Sequence, residues 1–285
     1  MNQKKTSVAG LIVEIIVRAI FFIAMPAAFA SGFLAVKLMF TAIGAGEPLN
    51  MDTMWVLIGL VGFTIVFGRF FCGFVCAFGT LGDAVYALSG FIQKRIFKRK
   101  RQLSIPEKPT IVLQKLKYVV LFVILVLCVF GIYKKFSGWS PWDVFSRIMV
   151  FRLPDGGYWL GILLLILIVI GMAFKKRFFC QFLCPMGALF SLLPILPFSR
   201  IHRNDSQCIK DCQACKKSCP VHLKVGENIL RDGECISCGR CKNICPRKNL
   251  TQPESKLFRH DIVALLLKAG LFFVMGSFLG LCRFW

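Results

Sequence analysis

The chain has 285 residues, and 56% are apolar or aromatic before its 24 glycines are counted, against about 45–50% with glycine for a soluble domain. That composition, with a mean hydropathy of +0.68, excludes a disordered chain, a collagen and an ordinary soluble enzyme. The formal charge of +22 must sit in the connections between apolar spans, which makes membrane lipid, and not nucleic acid, the expected partner.

The first apolar stretch, Val8 to Phe40, is too long for one perpendicular crossing of about 20 residues. Glu14 and Arg18, four apart, suit one face of an interfacial helix, leaving Ala19 to Phe40 to cross with Pro26 as a kink. No small-residue cleavage site follows a short apolar core, so no cleavable leader is expected. Met54 to Phe71, Leu116 to Tyr133, Tyr158 to Phe174 and Ile262 to Phe284 bring the expected crossings to five. The connection 41–53 holds no Lys or Arg, whereas Lys94 to Lys117 carries nine, and another basic run opens at Lys175, Lys176 and Arg177. Positive charge on the inner side then predicts a cytoplasmic amino end, a cytoplasmic polar segment and an exterior Trp285. Trp55, Trp139, Trp142 and Trp159 fall near the outer span ends, where amphipathic rings settle. Lys268 and Arg283, in the last span, are expected to snorkel, with a partner carboxylate as the alternative.

Sliding the chain over itself by 108 residues aligns Arg69 to Gly79 with Arg177 to Gly187, with seven of eleven positions identical. Each copy follows an inward span and leads into a short apolar helix, Thr80 to Phe91 or Ala188 to Leu193, so the repeats are parallel. Cys72 and Cys76, and Cys180 and Cys184, are spaced i, i+4 and are expected to share one helix face, giving four soft ligands at one depth. A further metal or iron–sulfur centre at these four cysteines is the favoured reading; packing and a redox-active thiol pair are the others. Arg69 and Arg177 precede the pairs by three residues and are expected to lower the thiol pKa values, with snorkelling as the alternative. Cys128 and Cys282 lack such company and read as packing residues.

Ser199 to Arg259 is the long polar stretch, and it holds two cysteine runs. Cys235, Cys238, Cys241 and Cys245-Pro246 match the C-x2-C-x2-C-x3-C-P signature of bacterial two-cluster ferredoxins. The fourth cysteine of each run, sent away by its proline, reaches the other cubane. Cluster one would take Cys208, Cys212, Cys215 and Cys245, and cluster two Cys235, Cys238, Cys241 and Cys219. The first run departs in placing Ile209-Lys210-Asp211 between its first two cysteines, a gap that still reaches an iron. Zinc modules use paired C-x2-C knuckles, and disulfides are disfavoured in a reducing compartment, so two 4Fe–4S clusters are the expected cofactors. No C-x-x-C-H occurs, and His202, His222 and His260 are too few and too far from the spans for an intramembrane haem. With no Walker loop and no G-x-G-x-x-G, a flavin would belong to a partner.

At these residues the chain resembles the NapH-like membrane polyferredoxins, quinol-dehydrogenase-type 4Fe–4S subunits related to the membrane part of NosR. The resemblance implies a mainly α, polytopic helix bundle with a small two-cluster ferredoxin insert, in the cytoplasmic membrane of a prokaryote. Its expected divisions are a membrane domain over 1–198, a cytoplasmic ferredoxin domain over 199–259 and a transmembrane helix over 260–285. It implies electron transfer between a cytoplasmic or quinone donor and a membrane or outer-face partner, flavin- or haem-containing, as a subunit of an oxidoreductase complex. Ala77 stands where the family has proline, and the fifth span is an addition. A copper reductase serving metalloenzyme assembly, since soft thiols favour Cu(I), and a redox-sensing membrane regulator are the alternatives.

Overall fold

The computed structural model describes residues 2–98, 107–149, 156–203, 208–209, 212–221, 223, 233–247, 249–252 and 261–282. Helix α1 (Asn2–Ala24) and helix α2 (Ala28–Ala45) are separated at Pro26, which has no amide to bond one turn back. The break at Pro26 is complete, so Ala19 to Phe40 is not one kinked helix. The Glu14–Arg18 pair forms on α1 at 3.9 Å. Helix α3 (Met51–Phe67) starts at Asn50, whose side chain accepts from the Asp52 amide, and stops at Gly68 with φ 69°. A π-type turn (Phe71–Val75) leads into α4 (Ala77–Phe97), longer than the helix expected from Thr80.

Next come α5 (Glu107–Val129), a 3₁₀ turn (Ile132–Trp139) and the amphipathic α6 (Pro141–Met149). The second copy follows as α7 (Trp159–Phe174), α8 (Phe178–Phe182) and α9 (Pro185–Leu192). The polar segment contributes β1 (His202–Arg203), α10 (Ala214–Ser218), α11 (Arg240–Ile244) and β2 (Leu250–Thr251), and α12 (Asp261–Phe278) closes the order. Among the described residues, α2, the 112–129 part of α5 and α12 are long and apolar enough to cross a membrane, by length and composition. Helices α3 and α7 are equally apolar over 17 and 16 residues. Outward side chains such as Phe122, Ile166 and Leu271 are exposed, as a lipid-facing surface requires.

The core is aromatic. Phe78 and Phe179, one from each copy, lie 4.5 Å apart between ring centres, and Phe29, Phe33 and Trp142 pack around them. Trp142 is therefore buried at 6% exposure and is no interfacial anchor; Trp55, Trp139 and Trp159 remain exposed. Lys268 is buried too, lining a cleft with Glu14 and Asp261, so it does not snorkel toward lipid. Arg283, Trp285, His222, His260, Lys210, Asp211 and most of the basic connection after Lys98 lie outside the described residues. The chain leading into the polar segment packs against the end of α3, where the Leu196 amide bonds the Ile65 carbonyl at 2.9 Å.

Candidate metal centres

In each repeat the chain turns between the two cysteines. The amides of Cys76 and Cys184 bond the carbonyls of Phe71 and Phe179, five residues back, at 2.8 and 2.9 Å. Cys76 and Cys184 then become the caps of α4 and α9, in nearly the same extended backbone (φ −61°, ψ 111° and φ −72°, ψ 110°). The expected single helix face is thus corrected: Cys72 lies in the π-type turn and Cys180 in α8, while the second thiol of each pair heads a new helix. Ala77 does not disturb the turn, because the first helical position needs no amide partner and any helix former serves there.

The four thiols converge. Cys76 and Cys184 are buried, and Cys76, Cys180 and Cys184 lie within electrostatic reach of one another and of Cys72. Burial pushes the thiols of Cys76, Cys180 and Cys184 up, and Arg177 opposes it at Cys76 and Cys180 without prevailing. Arg177 acts on Cys76 and Cys180 in the expected direction, and burial acts more strongly against it.

Arg69 and Arg177 are each 1% exposed, so neither reaches the headgroups. Each crosses to the other copy. Arg177 donates to the carbonyls of Cys72 (2.7 Å) and Gly73 (3.4 Å), and its guanidinium fills the space over Gly79, where a Cβ would stand 2.2 Å away. Arg69 lies correspondingly over Gly187, with 3.1 Å to a Cβ there, beside Cys184. Asp83 accepts from Arg177 at 2.8 and 3.1 Å and pairs with Arg18 and Arg240 at 3.2 and 3.4 Å. Burial alone would raise the Asp83 carboxyl, but Arg177, Arg240 and Arg18 together hold it below its usual value. Buried Arg69 Nε has no hydrogen-bond partner, and the guanidinium lies beside Cys72 and Cys184. A thiolate-held anionic centre suits this donor set. Among the described residues no three His, Cys, Asp or Glu side chains are arranged to hold a single metal ion.

In the polar segment, β1 before the first cysteine run pairs antiparallel with β2 after the second, His202 opposite Thr251 and Arg203 opposite Leu250. This pairing brings the start of one run beside the end of the other. Cys215, Cys235, Cys241 and Cys245 gather around Ile201 and Leu250. Cys235, Cys238 and Cys241 each sense Cys219 electrostatically, and all four line one cleft with Cys215. Burial pushes the Cys238 thiol up to about 11 and Cys235 to about 12. Cys208 accepts from Arg203 at 3.4 Å, and Cys245 donates to Asn249 at 2.9 Å.

The two cysteine sets meet. A Cβ on Gly73 would stand 2.4 Å from the Ile236 carbonyl oxygen and 3.9 Å from the Cys238 Cα, so only glycine allows this approach. At the matching position of the second copy, buried Gln181 donates to the Pro220 carbonyl at 2.6 Å, next to Cys219. Gly73 thus meets the Ile236–Cys238 backbone and Gln181 the Pro220 backbone beside Cys219.

A family profile described as a 4Fe-4S binding domain matches residues 49–103 and 158–197, the two copies that carry the membrane cysteines. An uncharacterized protein of Methanocaldococcus jannaschii is 30% identical over 195 residues, 68% of this chain and 76% of that protein. The ferredoxin-type protein NapH of Haemophilus influenzae is 26% identical over 201 residues, 65% of this chain and 62% of NapH. The regulatory protein NosR of Stutzerimonas stutzeri is 26% identical over 211 residues, 69% of this chain and 26% of NosR. The chain belongs to the NapH-like membrane polyferredoxin family. No solved structure matches it.

This polyferredoxin is a 4Fe–4S membrane protein of the electron-transfer class. Asp83, Glu234, Gly73, Gln181, Lys117 and Tyr118 all serve its junction and none was singled out from the sequence. The available signal was the mismatch Gly73/Gln181 inside an otherwise repeated motif.

Proposed function

We propose that the protein passes single electrons between two 4Fe–4S clusters of the polar segment and a third redox centre held by Cys72, Cys76, Cys180 and Cys184. The contact of the Gly73 backbone with Ile236 and Cys238 carries this reading, because it leaves no room for a side chain at the point where the two cysteine sets approach. Iron–sulfur cubanes supply one-electron transfer and need no substrate pocket. The chain's own residues supply the rest: buried thiols as ligands, and buried Arg69 and Arg177 as fixed positive charge between them. The family profile over both copies favours iron at the third centre. Cluster one would be held by Cys208, Cys212, Cys215 and Cys245, and cluster two by Cys235, Cys238, Cys241 and Cys219; the β1–β2 pairing supports the exchange of the fourth cysteines.

A cleft beside Cys238, lined by Phe70, Phe74, Leu265 and the polar Glu14, Asn243 and Lys268, has the mixed character a quinone ring and headgroup require. We read it as the donor side, with the polar segment cytoplasmic, and take a flavin- or haem-bearing protein as the acceptor. The test is anaerobic purification with iron counting and EPR before and after quinol addition. About twelve irons are expected in the native protein; C72S should lose about four and spare both ferredoxin signals, and C245S should lose the cluster of the first run. Full iron and full partner reduction in a protein lacking all four membrane cysteines would sink the third centre.

A further inference from the structure

The two copies of the repeat do not carry the same charges. Advancing Asp83 by 108 positions gives Ser191, so the second copy lacks the carboxylate that holds an arginine in the first. Arg69 would be left with no acid from its own domain. The place is filled from the polar segment. Gly233 rests on the Ser191 backbone, where a Cβ on the glycine would come within 2.2 Å of the Ser191 carbonyl oxygen. Glu234 then turns into the bundle. Its carboxylate accepts from Arg69 at 3.3 Å, from the wholly buried Lys117, and from the Tyr118 hydroxyl at 2.8 Å, and Tyr118 reaches Ser191 Oγ at 2.8 Å. Arg69 also donates to the Gly233 carbonyl at 2.9 Å. At the other end of the same loop Arg240 pairs with Asp83 at 3.4 Å.

We propose that Glu234 is the missing carboxylate of the second repeat, supplied in trans by the ferredoxin segment, and that with Arg240 it forms a reciprocal two-point latch holding the Cys235–Cys241 loop against the membrane cysteines. The latch crosses charges: the segment gives an acid to the bundle's Arg69 and Lys117, and an arginine to the bundle's Asp83. Each latching residue directly precedes a cysteine, Cys235 or Cys241, so its anchorage fixes where that cysteine stands. Breaking one partner of a buried ion pair leaves a charge without compensation, which is why Glu234 outranks a surface pair in effect. Arg240 is the weaker point, because Asp83 keeps Arg177 and Arg18 when Arg240 is lost. Glu234 is a positioning residue and touches no reacting atom.

This inference rests on the proposed transfer between the two cysteine sets, and its test separates the two. Hydrogen exchange of the amides of 233–240 reads the latch without reference to any membrane centre. E234Q should speed that exchange at least tenfold, keep the iron of both ferredoxin clusters, remove magnetic interaction between reduced cluster two and the membrane centre, and slow transfer between them at least tenfold. R240Q should do the same more weakly, and stands in if E234Q does not fold. The double variant S191D/E234Q returns the acid to Arg69 but not the tether; its exchange and transfer should stay as in E234Q. Unchanged exchange in both E234Q and R240Q would overturn the latch, and so would full recovery in the double variant, which would make Glu234 a charge and nothing more. Fast exchange in E234Q from a protein with no iron at the membrane cysteines would keep the latch and defeat the electron route.

Discussion

The two copies of the repeat agree at the arginines, glycines and cysteines that build the four-thiol site and differ at several residues that meet the polar segment. Arg69 and Arg177, Gly79 and Gly187, and the four cysteines are identical pairs, and each arginine lies over the glycine of the opposite copy. Gly73 against Gln181 and Asp83 against Ser191 are two of the mismatches, and each of these four residues meets a different part of the polar segment. Internal symmetry here sets the four-thiol site, and broken symmetry gives the ferredoxin segment one orientation in which to dock. An exactly symmetric pair of copies would offer two equivalent seats for one asymmetric segment.

Blocking the close approach at Gly73 should have the largest effect. In G73A the new methyl meets the Ile236 carbonyl, which is main chain and cannot swing aside; overpacking of this kind destabilises by about 1–3 kcal/mol. The docked loop is expected to lift, with ferredoxin iron retained and reduction of the membrane centre by cluster two slowed at least tenfold in stopped-flow measurements. Transfer at the native rate in G73A would show that the close approach is incidental packing.

The matching change in the second copy should do less. Q181A removes a hydrogen bond to the Pro220 carbonyl and leaves that buried acceptor unpaired, a loss of about 1–3 kcal/mol in which the loop backbone itself is not displaced. We expect a faster loss of cluster two on mild oxidation, because Pro220 follows Cys219, with transfer in the intact protein within threefold of native. If Q181A uncoupled the centres more than G73A, the division of labour between the copies would be reversed.

Much of this was legible beforehand. Hydropathy located the apolar helices, since a run such as 159–174 contains no charge to interrupt it, and self-comparison found both motif copies. The docking residues were not legible. Glu234 and Asp83 are single acids in polar or mixed surroundings, and nothing local marks a carboxylate whose partner lies more than 90 residues away, as Arg177 does from Asp83. Lys117 was counted as one of nine charges in a basic connection, yet it is fully buried, because long-range pairing with Glu234 overrides the preference of lysine for water. The helix break between each cysteine pair was hidden for another reason: i, i+4 spacing suits a continuous helix as well as a five-residue turn followed by a new helix.

The smallest expected effect comes from the mismatch at the first position of a helix. Ala77 occupies the position that proline holds in the second copy, the first of α4, just as Pro185 is the first of α9. The residue before it, Cys76, is already extended at ψ 111°, the backbone a following proline favours. A proline there gives up an amide that the helix leaves unused and narrows the unfolded ensemble, a gain of about 0.4–1 kcal/mol. A77P is therefore expected to raise the thermal midpoint in detergent slightly while iron content, EPR signals and transfer rate stay native. A loss of iron in A77P would mean that the two turns, alike in backbone, differ in what surrounds them, and that alanine is required for the cysteine site to form.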